Sequence, residues 1–305
     1  MYKIVFEEGN RVNRRLLIFI LYDLGISPYT LFNLYYKASD TQLQSIINGD
    51  ILKIQFEMNV FTEKEVDILY SQTKIENSIK IIKELIYKYE KEGIRYILYM
   101  DKEYPSKLKN IDYPPFILFV KGNTNLLNDK IISIVGTRKP SQDTKNRLKK
   151  HVKEIVRKKL VIASGLAIGT DIYSHNLTLD NKGKTIAVLP SAINDIIPKI
   201  HEKIAGQIVE DGGLLISEYY KPIANGSRLN YIYRNRLVSG ISTAVLVAEC
   251  EQRSGTMHTA RFAYKQSKII FCFKNISSGN IKILKTGIGK EFQNVDDLLN
   301  NLGDG

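Results

Sequence analysis

Four stretches of the sequence carry glycine, hydroxyl or cationic residues in combinations that suit loops and helix starts that bind anions. The first reads Ser133-Ile-Val-Gly136-Thr137-Arg138-Lys139-Pro140-Ser141. Glycine lets the backbone approach a ligand, amides at a helix start point at an anion, and arginine grips a phosphate through two parallel hydrogen bonds. It is not a Walker loop, because no Gly-Lys-Ser/Thr closes it, and it lacks the Gly-x-Gly-x-x-Gly spacing of dinucleotide sites. A plain alternative is that Gly136 only ends a strand and Arg138 is solvated. The second stretch, Ala163-Ser164-Gly165-Leu166-Ala167-Ile168-Gly169-Thr170-Asp171, has His175 one turn beyond Asp171. That i, i+4 pair suits acid and base work, yet no nucleophile or third group accompanies it. We therefore read Asp171 as a helix cap and His175 as structural.

The third, Asn230-Tyr231-Ile232-Tyr233-Arg234-Asn235-Arg236, offers phosphate contacts and stacking faces, the combination that single-stranded nucleic acid requires. The same residues would also suit a helix start whose arginines make intramolecular ion pairs. The fourth, Glu249-Cys250-Glu251-Gln252-Arg253-Ser254-Gly255-Thr256-Met257-His258, would add a second anion nest beside the first. Lys184 precedes an apolar run, at the amino end of a strand where a site residue of an open sheet is unusual. From Arg138 to Lys159 ten basic residues face two acids, a solvated helix face or a surface that steers a polyanion. Four scattered histidines and no Cys-x-x-Cys give no metal-ligand spacing. No catalytic residue, metal or cofactor is assigned.

These loops need strands and helices to hold them. Short β-branched runs, Ile131 to Val135, Leu160 to Ala163, Lys184 to Leu189, Leu214 to Ser217, Ala244 to Ala248 and Lys268 to Phe273, are separated mostly by helix-length segments. That alternation predicts an α/β fold, a doubly wound, mainly parallel sheet with helices on both faces. Ligands then bind at the carboxyl ends of the strands. Upstream, apolar residues recur at helical spacing, as in Leu16, Phe19, Ile20 and in Ile79, Ile82, Leu85, Ile86, Tyr89, so a small helical domain precedes the sheet. Ser27 and Pro28 read as the cap and first position of a helix after a tight turn. Tyr96 to Met100 and Phe116 to Lys121 read as edge strands in a Pro-interrupted link. The expected division is a helical domain over 1–95, a sheet domain over 96–290 and a tail over 291–305.

The chain has 305 residues, 44% of them hydrophobic and 25% charged, values that exclude wholesale disorder, a coiled coil or a fibre. The longest apolar run, Leu16 to Tyr22, cannot span a bilayer. Glu7 and Glu8 stand where a signal peptide wants basic residues. The cytoplasm is the expected compartment, with no membrane partner. Cys250 and Cys272 sit in apolar runs and read as reduced core thiols. A formal charge of +12 favours a polyanionic partner.

Taken together, Ile134-Val-Gly-Thr-Arg138, Ser164-Gly-Leu-Ala-Ile-Gly-Thr-Asp171 with His175, Gly183-Lys-Thr-Ile-Ala-Val-Leu189, Ser217-Glu218, Arg234-Asn-Arg236 and Ser254-Gly-Thr256 resemble the DNA-processing protein A family (DprA, also called Smf). Tyr104-Pro-Ser-Lys-Leu108, Pro114-Pro115 and Gly122-Asn123 extend the resemblance upstream. It implies an extended Rossmann-like domain and a non-enzymatic protein that binds and protects single-stranded DNA. It further implies a homodimer that helps to load a RecA-type recombinase in transformation or recombination. Family DNA contacts map onto Arg138 and Lys184. The candidate DNA-binding set is Gly136, Thr137, Arg138, Lys139, Ser164, Gly165, Lys184, Arg234, Asn235, Arg236, Ser254, Gly255 and Thr256.

The sequence departs from the family pattern in several places. Thr137 replaces a serine, Ile168 replaces an arginine, Tyr-Gly is missing from Ser141 to Lys145, and Pro190-Ser191 replaces a Gly-rich turn. The winged-helix tail of many members is not expected, since the sequence ends soon after the sheet domain. The competing readings on the same fold are a nucleotide-processing phosphoribohydrolase and a small-nucleotide sensor. The first is weakened because Ser254-Gly255-Thr256 lacks the double glycine and trailing acid of those enzymes.

Overall fold

In the computed structural model, the chain forms two compact units, residues 1–93 and 94–305. The structure describes residues 6–7, 11–221 and 228–302. Most of the amino-terminal stretch read for a signal lies outside these, as do the last three residues of the tail.

The first unit begins with a two-stranded antiparallel pair, β1 (Phe6–Glu7) and β2 (Arg11–Val12). Six helices follow: α1 (Arg14–Asp23), α2 (Pro28–Lys37), α3 (Asp40–Asn48), α4 (Ile51–Met58), α5 (Glu63–Tyr70) and α6 (Gln72–Lys91). The α1–α2 turn follows from the sequence. Gly25 supplies a φ of 89°, and Ser27 accepts from the Thr30 amide at 3.2 Å, with Pro28 in the first turn. Leu17, Ile18, Leu31, Leu34 and Ile82 are buried and make the apolar interior of this unit.

The second unit is built on a nine-stranded sheet. Its strands are β3 (Ile94–Leu98), β4 (Ile117–Gly122), β5 (Ile131–Val135), β6 (Val161–Ser164), β7 (Thr185–Val188), β8 (Leu214–Ser217), β9 (Ala244–Val247), β10 (Ile269–Cys272) and β11 (Lys290–Glu291). Their spatial order is β11-β10-β9-β5-β6-β7-β8-β4-β3. Pairing is parallel from β11 to β8, and antiparallel between β8 and β4 and between β4 and β3. Between them run α7 (Ser106–Lys109), α8 (Gln142–Arg157), α9 (Thr170–Asp180), α10 (Glu202–Glu210), α11 (Arg228–Gly240), α12 (Gly255–Lys265) and α13 (Ser278–Lys285), and α14 (Val295–Leu302) follows β11. The doubly wound architecture expected from the sequence is present. The first of the two edge strands begins at Ile94, two residues before the expected start, and β4 is an inner strand paired on both sides.

Strand alternation divides the core. Ile131, Val135, Val245 and Val247 face one layer with Leu237 and Val238 of α11 and Met257 and Ala260 of α12. Ile132, Ile134, Ala244 and Leu246 face the other with Leu148 and Val152 of α8 and Val295 and Leu298 of α14. Each of the valine, leucine, isoleucine and methionine side chains among them contributes about 1.5–3 kcal/mol when fully buried. The segment read as a tail from 291 therefore supplies β11 and α14, whose apolar stripe covers Phe271, Phe273 and Phe292. Short strands and a short helix have too little periodicity to announce themselves.

The chain winds from β5 through β6 and β7 to β8 in one direction, then from β9 through β10 to β11 in the other. The switch point lies between β5 and β9, and the crevice beyond their carboxyl ends is where such sheets bind ligands.

Candidate nucleic-acid interface

A cavity of about 890 Å³ opens at that switch point. Its walls come from four places that the sequence keeps far apart: Val135–Arg138 after β5, Gly165, Ala167 and Asp171 after β6, one face of α11, and the loop and first turns of α12. Of the residues singled out in the sequence, it brings together Gly136, Thr137, Arg138, Gly165, Arg234, Asn235, Ser254, Gly255 and Thr256.

The Arg138 loop is fastened on both sides. The Thr137 amide donates to the Glu249 carbonyl at 2.7 Å, and the Thr137 carbonyl accepts from the Thr170 amide and hydroxyl, each at 3.0 Å. Gly169, with a φ of 92°, lets the Arg138 backbone lie against it, where a Cβ would stand 2.5 Å from three backbone atoms. The Arg138 side chain is exposed, and its guanidinium stands 5.9 Å from the centre of the Tyr231 ring.

The two helix starts differ. At α8 the Ser141 hydroxyl accepts from the Thr144 amide, and the Glu249 carboxylate accepts from the Ser141 amide at 2.9 Å and hydroxyl at 2.8 Å. Burial alone would raise the Glu249 pKa, but the bonds from Thr144 and Ser141 hold it below the ordinary value. That end already holds an internal anion. At α12 the Ser254 side chain makes no capping bond and is turned to the Cys250 thiol instead. A Cβ on Gly255 would meet nothing within 4 Å.

The cavity floor is charged and buried. Arg234, 3% exposed, donates to the Gly165 and Val188 carbonyls. Its guanidinium fills the space beside Gly165, where a Cβ would lie within 2.3–2.4 Å. Asp171 accepts from the Gly165 amide at 3.2 Å. Burial raises the Asp171 pKa, against the Arg234 charge and the loop amides, which lower it. Asp171 thus braces the β6 loop rather than capping α9, whose cap position is Gly169 without a side-chain bond. His175 is structural as expected: it is fully buried, its Nδ1 pairs with the Thr185 hydroxyl at 2.7 Å, and burial together with the Arg234 and His201 charges pushes its pKa down to about 3.

Four candidates stand elsewhere. Ser164 is buried and donates its hydroxyl to Ile134 at 2.6 Å. Lys139 points to solvent outside the cavity lining. Arg236, two positions from Arg234 on a helix and so on another face, is buried against Glu218. Lys184 lies at the amino end of β7, the far end of the sheet, and donates to the Asp211 carbonyl. Arg253 and His258, quoted in the fourth stretch but outside the candidate set, also line the cavity, as does Arg261, which lies beyond that stretch. Ser254, His258 and Arg261 follow i, i+4, i+7 spacing, a helical-face signal that would have found them. Among the described residues, no group of His, Cys, Asp and Glu side chains is placed to hold a metal ion, and no helix is long and apolar enough to cross a membrane.

Residues 95–303 match the family model described as DNA recombination-mediator protein A. The DNA processing protein DprA of Bacillus subtilis is 32% identical over 251 residues, which cover 80% of this chain and 84% of that one. The solved DprA of Streptococcus pneumoniae superposes with a TM-score of 0.69 at 25% identity, over 93% of this chain and 96% of that one. The Helicobacter pylori DprA structure, solved to describe its single-stranded DNA binding mode, gives 0.61 at 29% identity, over 68% and 95%.

Proposed function

The chain belongs to the DNA recombination-mediator protein A family, and from that premise we propose that it binds single-stranded DNA in the switch-point cavity, without reading sequence. The observation that supports this best is the lining itself. Arg138, Arg228, Arg253 and Arg261 line it together with Tyr231, and Asp171 is the one carboxylate among the described lining residues. Arginines would neutralise phosphates and release counterions, while Tyr231 would stack a base, an interaction every base can make. The exposed basic side chains of α8, Lys149, Lys150, Lys153 and Arg157, would raise the encounter rate.

The finer reading is a binding protein that protects single strands and passes them to a RecA-type recombinase in transformation or recombination. The family description as a recombination mediator supports it. A second copy of this chain is the other protein partner that the resemblance brings, and the cytoplasm is the compartment that suits two buried free thiols. An enzymatic reading finds less support, because Asp171 and His175 are engaged in holding the loop and strand beneath the cavity.

Arg138 and Lys184 enter differently. The four residues of β7 alone span about 13 Å, so a strand touching both needs a tract of several nucleotides. The test is fluorescence anisotropy with single- and double-stranded oligonucleotides at two salt concentrations. Arg138→Ala is expected to weaken binding at every length and to reduce the salt slope by about one. Lys184→Ala is expected to weaken only longer oligonucleotides. Salt-insensitive, equally weak binding of single and double strands by all three proteins would refute the proposal.

A further inference from the structure

We infer that the switch-point cavity takes a nucleoside phosphomonoester, either the phosphorylated end of a strand or a free mononucleotide, in preference to an internal phosphodiester. This rests on the single-stranded DNA reading and adds to it which part of the strand the cavity holds.

Shape is the first argument. Val135 at the end of β5, Val238 of α11 and the buried Arg234 and Asp171 close the floor. A continuous strand cannot thread through a closed floor, so a nucleotide seated there arrives by its end or is turned out of the strand.

Charge is the second. Among the described lining residues, Arg138, Arg228, Arg253 and Arg261 on the walls and Arg234 on the floor oppose the single carboxylate of Asp171. A phosphodiester brings one charge and two free oxygens. A phosphomonoester brings about 1.5 to 2 charges at neutral pH and three free oxygens, each able to accept from an arginine or an amide.

The unfilled start of α12 is the third. At α8 the equivalent position is closed by Ser141 and Glu249, whereas at α12 no side chain caps the start and Gly255 leaves open space there. An eleven-residue helix with an uncapped start, opening onto a cavity ringed by arginine, fits a doubly charged phosphate.

The experiment uses the full chain and one dT oligonucleotide, labelled internally and carrying a 5′-phosphate, a 3′-phosphate or hydroxyl ends. Thymidine monophosphate and thymidine serve as unlabelled competitors. A phosphate at one end is expected to tighten binding about tenfold, the effect of one further charge-assisted bond. Thymidine monophosphate should compete where thymidine does not. Tighter binding of the phosphorylated strand than of the mononucleotide identifies the strand end as the ligand, and the reverse order identifies the free nucleotide. In Arg253→Ala/Arg261→Ala, which alters only exposed side chains, the ratio of phosphorylated to hydroxyl-ended affinity should fall towards one. Equal affinity for all three oligonucleotides, with the mononucleotide inert, would overturn this inference while leaving the DNA reading intact. Failure to retain any oligonucleotide would overturn the DNA reading, and binding of the mononucleotide alone would then still support the phosphomonoester site.

Discussion

Replacing Arg234 by alanine should damage the fold beneath the cavity before it touches any ligand. The side chain donates to the Gly165 and Val188 carbonyls, and its charge acts on the buried Asp171 carboxyl. Its removal leaves two buried carbonyls without that donor, at about 1–3 kcal/mol each, and a buried carboxyl without a nearby counter-charge. For a unit of this size the melting temperature should drop by about 10 °C. A thermodynamic cycle isolates the cause. Asp171→Asn keeps an acceptor for the Gly165 amide while removing the charge, so in the Arg234→Ala background it should recover about 1–3 kcal/mol relative to additivity. pH supplies an independent check. Burial raises the Asp171 pKa and Arg234 lowers it, so without the arginine the folded value climbs further. A raised carboxyl stabilises the fold fully below its unfolded pKa of about 3.9, and that contribution is lost as pH rises through the folded value. Arg234→Ala should therefore lose more stability than wild type between about pH 5 and pH 8, and the double variant should not. Urea titrations of the four proteins decide it: additivity within about 0.5 kcal/mol, with parallel pH profiles, would refute the pairing argument.

Two glycines of the cavity should respond in opposite ways. Gly165→Ala drives a Cβ into the pinned Arg234 guanidinium and should cost about 1–3 kcal/mol, together with binding. Gly255→Ala meets no atom, so thermal melting should move little while anisotropy shows weaker binding as the start of α12 fills. Cys250 and Cys272 should be silent towards an aromatic disulfide reagent at about pH 8, because burial pushes both thiols up to about 12. Both should react once denaturant is added, and rapid reaction of the folded protein would contradict their placement.

The sheet was legible because its parallel strands are buried on both faces and so read as β-branched runs between turns: Ile131–Val135 and Leu214–Ser217 have the bounds expected of them. The turn at Ser27-Pro28 was legible because capping is local chemistry. What stayed hidden depends on partners distant in the chain. Ser141 reads as an open helix start until Glu249, 108 residues away, is found on it, and no local pattern announces that closure. The same distance hides the different fates of Arg234 and Arg236, although helical phase did hold part of the answer. Two residues on one helix are turned by about 200°, so both could not face one ligand. The sheet then decided which was which, putting Arg234 over the carboxyl ends of β6 and β7 and Arg236 against Glu218. Lys184 makes the same point from the other side. Its neighbours in sequence resemble a binding motif, but a motif fixes residue type and a parallel strand fixes direction. A lysine before β7 must lie at the opposite end of the sheet from an arginine after β5. If both touch DNA, the strand length of the fold sets the minimum footprint.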